Sequence, residues 1–402
     1  MTKASQTLLI VAGDPSGDIH AARVVEAMSI QQPAISWVGV GGAAMQAAGV
    51  ELLANQSHLG KVGLYGLSTV WSHFQLGQRL LRWIKTHRPA VVLHVDYGGF
   101  NLWLAGQCKK RGFHTQWGLK NIHYIPPQVW ASRKQRLNTI KRVMDEVLCI
   151  FPFEEGIYRA NSIPVTFVGH PLVGTLPPPA ERNTFCAQHG LNPHQPLVAV
   201  FPGSRHSEVN HLLRPSLEAL ALLNQRRVQN GLPCVQAVVP VASSFNEAWV
   251  EQRVFQWQQH AAATLPVTLV KSDQRHALLS VADAGMIKSG TSTLEAALYR
   301  LPQVVIYKGH PLAAWLARRL CYLKSWGLPN VLINPNDPIV PECLQEDCNP
   351  EALADMVAQL LQAGSPLRQK ALAGYTQVAE LLLTHDQHHS AERVAEALLA
   401  AM

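Results

Sequence analysis

The chain has 402 residues, 48% of them hydrophobic and 15% charged; this balance supplies apolar cores, excludes a disordered polymer and suits two or three domains. A net charge of +7 with pI ≈ 9.1 favours anionic partners, but Lys and Arg are scattered, so a basic nucleic-acid arm is excluded and no nucleic acid is expected. Seven cysteines without a CxxC pair argue against a disulfide framework and for a reducing compartment.

The N-terminal stretch MTKASQTLLIVAGDPSG holds an apolar run of only about five residues, too short for a secretory h-region. Short β-rich runs follow at TLLIVA (7–12), WVGV (37–40), AVVLHV (90–95), NIHYI (121–125) and EVLCIF (146–151). A second series comprises LVAVF (197–201), VQAVV (235–239), VTLV (267–270), ADAGMI (282–287) and QVVIY (303–307). Helical stretches separate them, and strand–helix alternation predicts parallel sheets covered on both faces. Two series predict two Rossmann-like α/β domains, 1–172 and 197–365. Pro171, Pro177, Pro178 and Pro179 mark 173–196 as the linker. The Ala/Leu/Gln-rich end, 366–402, reads as a helical tail that either crosses back to the first domain or pairs with a second copy as a homodimer. No run reaches the ~18 apolar residues of a membrane span. These features predict a cytoplasmic protein.

Ligands of open α/β sheets bind beyond the carboxyl ends of strands, so the loops at those ends are the candidate sites. In the first domain the loop Gly13, Asp14, Pro15, Ser16, Gly17, Asp18 places two carboxylates at a helix start. They repel phosphate and suit a sugar with hydroxyls; a turn capped by Ser16 or Asp18 is the structural alternative. Asp96 ends an apolar strand, where burial pushes a carboxyl toward base duty. Asn101 fits the cap of a helix from Leu102 and leaves Asp96 free for chemistry. In the second domain, Gly203, Ser204 and Arg205 form a turn before a helix, and Arg205 either forks a diphosphate or pairs with Glu208. In IKSGTSTLEAAL, Ser289, Gly290, Thr291 and Ser292 crowd a helix N-terminus. That end presents amides and partial positive charge to a phosphate, unless Ser292 and Glu295 are simply a capping box. Glu295 is one turn deeper, where it would take ribose hydroxyls.

Neither GDPSGD nor VGVGG fits GxGxxG, and no Walker Lys-Ser/Thr is present, so nicotinamide and P-loop readings fail. Eighteen histidines are scattered and include no HExxH, so no metal is expected. Residues 67–88 carry Leu67, Val70, Trp71, Phe74, Leu80, Leu81, Trp83 and Ile84 at helical spacing, with Arg79, Arg82, Lys85 and Arg88 interleaved. That is an amphipathic helix, either packed on a core or lying at an anionic lipid interface.

Taken in order, VAGDPSGDIHAA, VGVGGAAMQAAGV, HVDYGGFN, NIHYIPPQVWA, FPFEEGIY, VGHPLVG, FPGSRHSEV, SGTSTLEAAL and LPNVLI resemble the lipid-A-disaccharide synthases, from about residue 8 to about residue 355. The resemblance implies a GT-B glycosyltransferase, with the two domains facing each other across a cleft. It implies transfer from UDP-2,3-diacylglucosamine to 2,3-diacylglucosamine 1-phosphate, inversion of the donor anomer, and release of UDP. It assigns Asp96 as general base, SGTST with Glu295 to UDP, Arg205 to the donor, Asn330 to the same cleft, and the loop 13–18 to the acceptor. No cofactor is required. Lipid-linked sugars as substrates imply peripheral docking at the cytosolic face of the inner membrane of a Gram-negative-type bacterium. The chain departs from the family where Gly99 replaces the second Asp of an IDAPDFN-type loop and Ser132 replaces a Trp. An insertion at 116–120 also precedes NIHYI. The competing expectations are a UDP-N-acetylglucosamine 2-epimerase-like isomerase, which shares the architecture, and a non-catalytic lipid-sugar binder.

Overall fold

The computed structural model describes residues 7–55, 67–131, 134–260, 265–309, 324–383 and 389–402; Ser132 lies outside them. The chain forms two compact units. The first joins Met1–Gly174 with Leu382–Met402, and the second is Thr175–Leu381.

The first unit is built on β1 (Thr7–Ala12), β2 (Ser36–Gly41), β3 (Glu51–Asn55), β4 (Val91–Val95), β5 (Lys120–Tyr124), β6 (Glu146–Cys149) and β7 (Val165–Phe167). They pair in parallel in the order β3-β2-β1-β4-β5-β6-β7. Strands β1 and β4 sit in the middle and are almost wholly buried, which is why both read as mostly apolar runs, with His94 as the buried polar residue of β4. Leu9, Val11 and Val92 pack on one face with Leu80, Ile84, Phe100 and Leu104 from the covering helices. On another side, Val147 and Cys149 meet Leu102, Ile140 and Tyr158.

The second unit repeats the plan with β8 (Leu197–Phe201), β9 (Gln236–Val241), β10 (Val267–Lys271), β11 (Ala284–Lys288), β12 (Gln303–Tyr307) and β13 (Glu342–Leu344). Their parallel order is β10-β9-β8-β11-β12-β13. Strands β3, β7 and β13 escape the sequence reading. All three lie at sheet edges, and none is a buried apolar run.

The expected linker is largely folded. Helix Arg182–Gln188 buries Phe185 and Cys186 in the second unit's core. Arg182 also donates to the carbonyls of Pro193, Gln195 and Val281 and pairs with Asp283 at 2.9 Å. The C-terminal end is divided rather than one tail. Helix Pro366–Leu382 falls almost entirely in the second unit, whereas Ser390–Ala401 packs on Pro15–Gln31 of the first, with Tyr124 Oη and Ser390 Oγ 2.8 Å apart.

In each sheet the strand order reverses direction beside the first strand: between β1 and β4, and between β8 and β11. A crevice for ligands opens at such switch points. All but Asn330 of the candidate residues sit on these loops or the helices that open from them.

Candidate active site

Register places Ala12 opposite Val95, so the loop after β1 and the loop after β4 leave the sheet side by side. Asp14, rather than Ser16 or Asp18, caps helix Pro15–Gln31. It takes the Gly17 amide at 2.7 Å and the Ser16 hydroxyl at 2.9 Å. Asp18 is not available to an acceptor. It is buried and accepts from the amides of Gly42, Ala44 and Met45 at 2.6, 3.0 and 3.2 Å, holding the start of helix Ala43–Ala47. A carboxylate stabilises the orphan amides of that helix end.

Asp96 and Tyr97 both take left-handed backbone, with φ of +47° and +49°. Such a pair of non-Gly residues is costly and persists only where its surroundings fix it. Here the Asp96 amide donates to Tyr124 O at 3.0 Å, and the Asp96 carbonyl accepts from Asn101 Nδ2 at 2.9 Å. His123 Nε2 lies 3.0 Å from the same carbonyl; burial drives this imidazole down to about 3, so it is neutral and Nε2 carries the donor hydrogen. Asn101 is therefore not the helix cap. The helix begins at Gly98, and Asn101 is buried within it, where it clamps the carbonyls of Val11, Val95 and Asp96. That clamp ties the loop after β4 back to β1. Gly13 makes room for it, because a Cβ there would enter the Tyr97 ring.

Burial first, and the charge of Asp14 second, lift the Asp96 carboxyl from 3.8 to about 7. A carboxyl tuned to neutrality suits general-base work. Nearby, Trp130 of the PPQVW loop is anchored by Glu154, whose Oε1 accepts from Nε1 at 2.9 Å; burial raises this carboxyl too, to about 7.

In the second unit Gly203 adopts φ +115°, and a Cβ would strike Glu208. Glu208 closes the start of helix His206–Gln229. It accepts from the amides of Ser204 and Arg205 at 3.0 and 3.3 Å and pairs with Arg205 Nη1 at 3.2 Å and Lys288 Nζ at 3.0 Å. The Ser204 amide is thus engaged within the turn itself. The Arg205 guanidinium stays accessible, since its side chain is 72% exposed and such a pair is weak.

After β11, Ser289 is committed to the fold: its hydroxyl donates to Trp326 O at 2.6 Å and its amide to Ile306 O at 3.0 Å. Gly290 has φ +149°, and Thr291 precedes helix Ser292–Leu298 without a side-chain cap bond. Because the helix opens at Ser292 with Thr291 as its cap, Ser292 is not the cap of a capping box, although its side chain still bonds the Glu295 carboxyl. The Glu295 carboxyl turns to His276 Nε2 at 3.1 Å and Arg275 Nη2 at 3.7 Å. Burial raises its pKa, but His276 and Arg275 outweigh burial and hold it below the usual range, as an anion. Asn330 is also diverted. Fully buried, it donates to Val340 O at 2.9 Å and Glu342 Oε1 at 2.7 Å and accepts from Val340 N at 2.9 Å, so it braces β13 rather than lining a ligand site.

The structure thus gathers Gly13, Ser16, Gly17 and Asp96 at one switch point and Gly203, Ser204, Arg205, Ser289, Gly290, Thr291, Ser292 and Glu295 around the other. Sequence reasoning missed Lys288, His276 and Arg275. Lys288 was within reach, because it ends the strand beside β8. The other two come from helix Arg275–Val281, whose approach depends on packing.

The family model described as lipid-A-disaccharide synthetase matches residues 8–398. A lipid-A-disaccharide synthase of Coxiella burnetii (strain Dugway 5J108-111) is 38% identical over 359 residues, 89% of each chain. One from Trichlorobacter lovleyi is 36% identical over 363 residues, 88% of each. Among solved structures, a glycosyltransferase from Rickettsia africae superposes with TM-score 0.58 at 11% identity, covering 99% of this chain and 98% of that one. A UDP-GlcNAc 2-epimerase from Methanocaldococcus jannaschii gives 0.57 at 12%, covering 98% and 100%; at such identities the likeness is one of fold, the GT-B class, and does not choose between transferase and epimerase. The sequence match does choose: the chain belongs to the lipid-A-disaccharide synthetase family.

Proposed function

We propose that this glycosyltransferase of lipid A disaccharide synthesis uses Asp96 as its general base and the loops after β8 and β11 to hold a UDP-sugar. The donor is UDP-2,3-diacylglucosamine and the acceptor 2,3-diacylglucosamine 1-phosphate. Asp96 takes the proton of the acceptor's 6-hydroxyl as that oxygen attacks the anomeric carbon. The bond to the diphosphate breaks, UDP leaves, and the anomer is inverted. Arg205 and the backbone at 290–292 offset the charge of the departing diphosphate. Glu295, anionic and buried behind His276, takes the ribose hydroxyls. Gly13, Ser16 and Gly17 contact the acceptor sugar. The reaction needs no cofactor and no metal. The observation that carries this reading is a carboxyl at the β1/β4 switch point, held in a fixed turn and poised near pH 7.

The lipid substrates place the enzyme at the cytosolic face of an anionic membrane, docked peripherally. No described helix is long and apolar enough to cross one. Helix Leu67–His87 supports the docking: Leu80, Leu81 and Ile84 are buried, whereas Val70, Trp71 and Phe74 are 55%, 60% and 45% exposed. Trp71, Phe74, Arg79 and Arg82 border a cavity of about 620 Å³.

The test is direct. Purified protein with the UDP-sugar releases UDP only once the monosaccharide 1-phosphate is added, and metal chelation leaves the rate unchanged. Conversion of the UDP-sugar without acceptor would favour the epimerase reading, and inertness with both substrates would favour a binding protein.

A further inference from the structure

In HVDYGGFN the residue after Asp96 is Tyr97. Its backbone is left-handed like that of Asp96, and Tyr is a bulky side chain for such a conformation. Nothing in the turn's own sequence favours it; the neighbours impose it. The Tyr97 ring lies over the space that Gly13 leaves free and packs on Phe100 with ring centroids 5.4 Å apart. Its hydroxyl bonds His73 Nε2. The His73 ring in turn sits 5.9 Å from Tyr97 and 6.0 Å from Phe100. His73 belongs to helix Leu67–His87, so a second element reaches the turn from outside the sheet.

We propose that His73 and Tyr97 form a positioning pair that locks the turn at Asp96 and Tyr97 and so aims the Asp96 carboxyl at the acceptor. The argument rests on the assignment of Asp96 as base. The carbonyl of Asp96 is already fixed by Asn101 and His123. The carbonyl end of the turn is therefore held from the sheet side, while the following residue is held through its side chain. Breaking the phenol's bond frees Tyr97 to relax toward ordinary backbone, and the carboxyl one residue earlier rotates with it. A misplacement of about 1 Å costs far more in rate than in binding. The aromatic contacts extend from this pair through Phe100 and Trp103 to Phe74 and Trp71, so the pair also ties the base to the exposed end of the same helix.

The experiment measures kcat and the donor KM for Tyr97→Phe, His73→Leu, the double variant and His73→Gln, each at full substrate occupancy. Each single loss lowers kcat about tenfold, the scale of one positioning hydrogen bond, with donor KM unchanged. The double variant is no slower than either single one, because the two residues act as a unit. His73→Gln, which can still bond the phenol, stays within about threefold of the parent and keeps the test open should His73→Leu fail to fold. Wild-type kcat in Tyr97→Phe, multiplicative losses in the double variant, or a loss confined to KM overturns the pair. Asp96→Asn, run beside them, tests the base itself: normal turnover there removes Asp96 from its role whatever the pair variants do.

Discussion

Asp14 and Asp96 stand side by side past the ends of adjacent strands, and the negative charge of Asp14 is the second force, after burial, that holds the Asp96 carboxyl near neutrality. A base must be unprotonated, so activity should rise with pH through about 7. Asp14→Asn removes the charge but keeps a good cap for the helix that follows. The acidic limb of kcat/KM should then move to lower pH by roughly one unit, stopping short of the ordinary carboxyl value because burial remains. A pH–rate profile of both proteins checks this, and an unmoved limb would show that Asp14 does not act on the base.

The same shift has a stability consequence. A carboxyl whose pKa is raised on folding favours the protonated state. Its contribution is full below the unfolded value of 3.8 and is lost as pH rises through about 7. Asp96 thus destabilises the fold where the enzyme works. Asp96→Asn should lose at least ~10²-fold in turnover and yet raise Tm by about 2 °C or more above pH 7, a gain that vanishes near pH 4. Thermal melts at the two pH values measure it, and a lower Tm at pH 8 would refute the account of the buried carboxyl.

Glu208 has the opposite sign. Burial pushes it up, but Lys288 and the Ser204 and Arg205 groups outweigh burial and hold the carboxyl below the usual range. Its stabilisation is present above the unfolded value and fades as pH falls through the depressed one. Glu208→Ala leaves Lys288 and two amides without their acceptor and should cost about 2 kcal/mol. Since the turn that carries Arg205 loses its brace, donor KM should rise more than kcat falls. Denaturant melts and steady-state kinetics together decide; an unchanged KM would separate this turn from donor binding.

The central strands were legible because a strand buried on both faces is mostly apolar, as β1, β4, β8 and β11 are, His94 being the polar residue inside them. The loops at their carboxyl ends were legible for the same reason: a Gly- or Asp-rich turn after an apolar run marks the switch point. What each side chain does there was harder to read. Asp18, Asn101, Ser289 and Asn330 are of types that serve ligands equally well, but the fold spends them on its own amides and carbonyls. Local spacing could not reveal this, since their partners lie on other elements, 24 residues away for Asp18 and 90 for Asn101's bond to Val11. The capping box at Ser292 and Glu295 failed because the helix starts one residue earlier than the pattern requires, with Thr291 as cap, while His276 reaches Glu295 from a different helix.

Helix Leu67–His87 gives the last prediction. From Leu76 onward its apolar residues face the core, but Trp71 and Phe74 stack at 5.8 Å while remaining exposed, with Arg82 and Arg79 about two turns further along. Exposed aromatics followed by cations match the depth profile of a headgroup layer. Burying one large apolar side chain is worth about 1.5–3 kcal/mol. Trp71→Ser with Phe74→Ser should therefore lower binding to anionic vesicles at least ~10-fold. Each cation near such a surface adds about 1 kcal/mol, so Arg79→Gln with Arg82→Gln should cost roughly thirtyfold, but only with anionic lipid and low salt. Sedimentation with vesicles of phosphatidylglycerol and phosphatidylethanolamine, and with neutral ones, separates the two effects. Equal sedimentation of all variants would mean that this face of the helix does not dock on lipid.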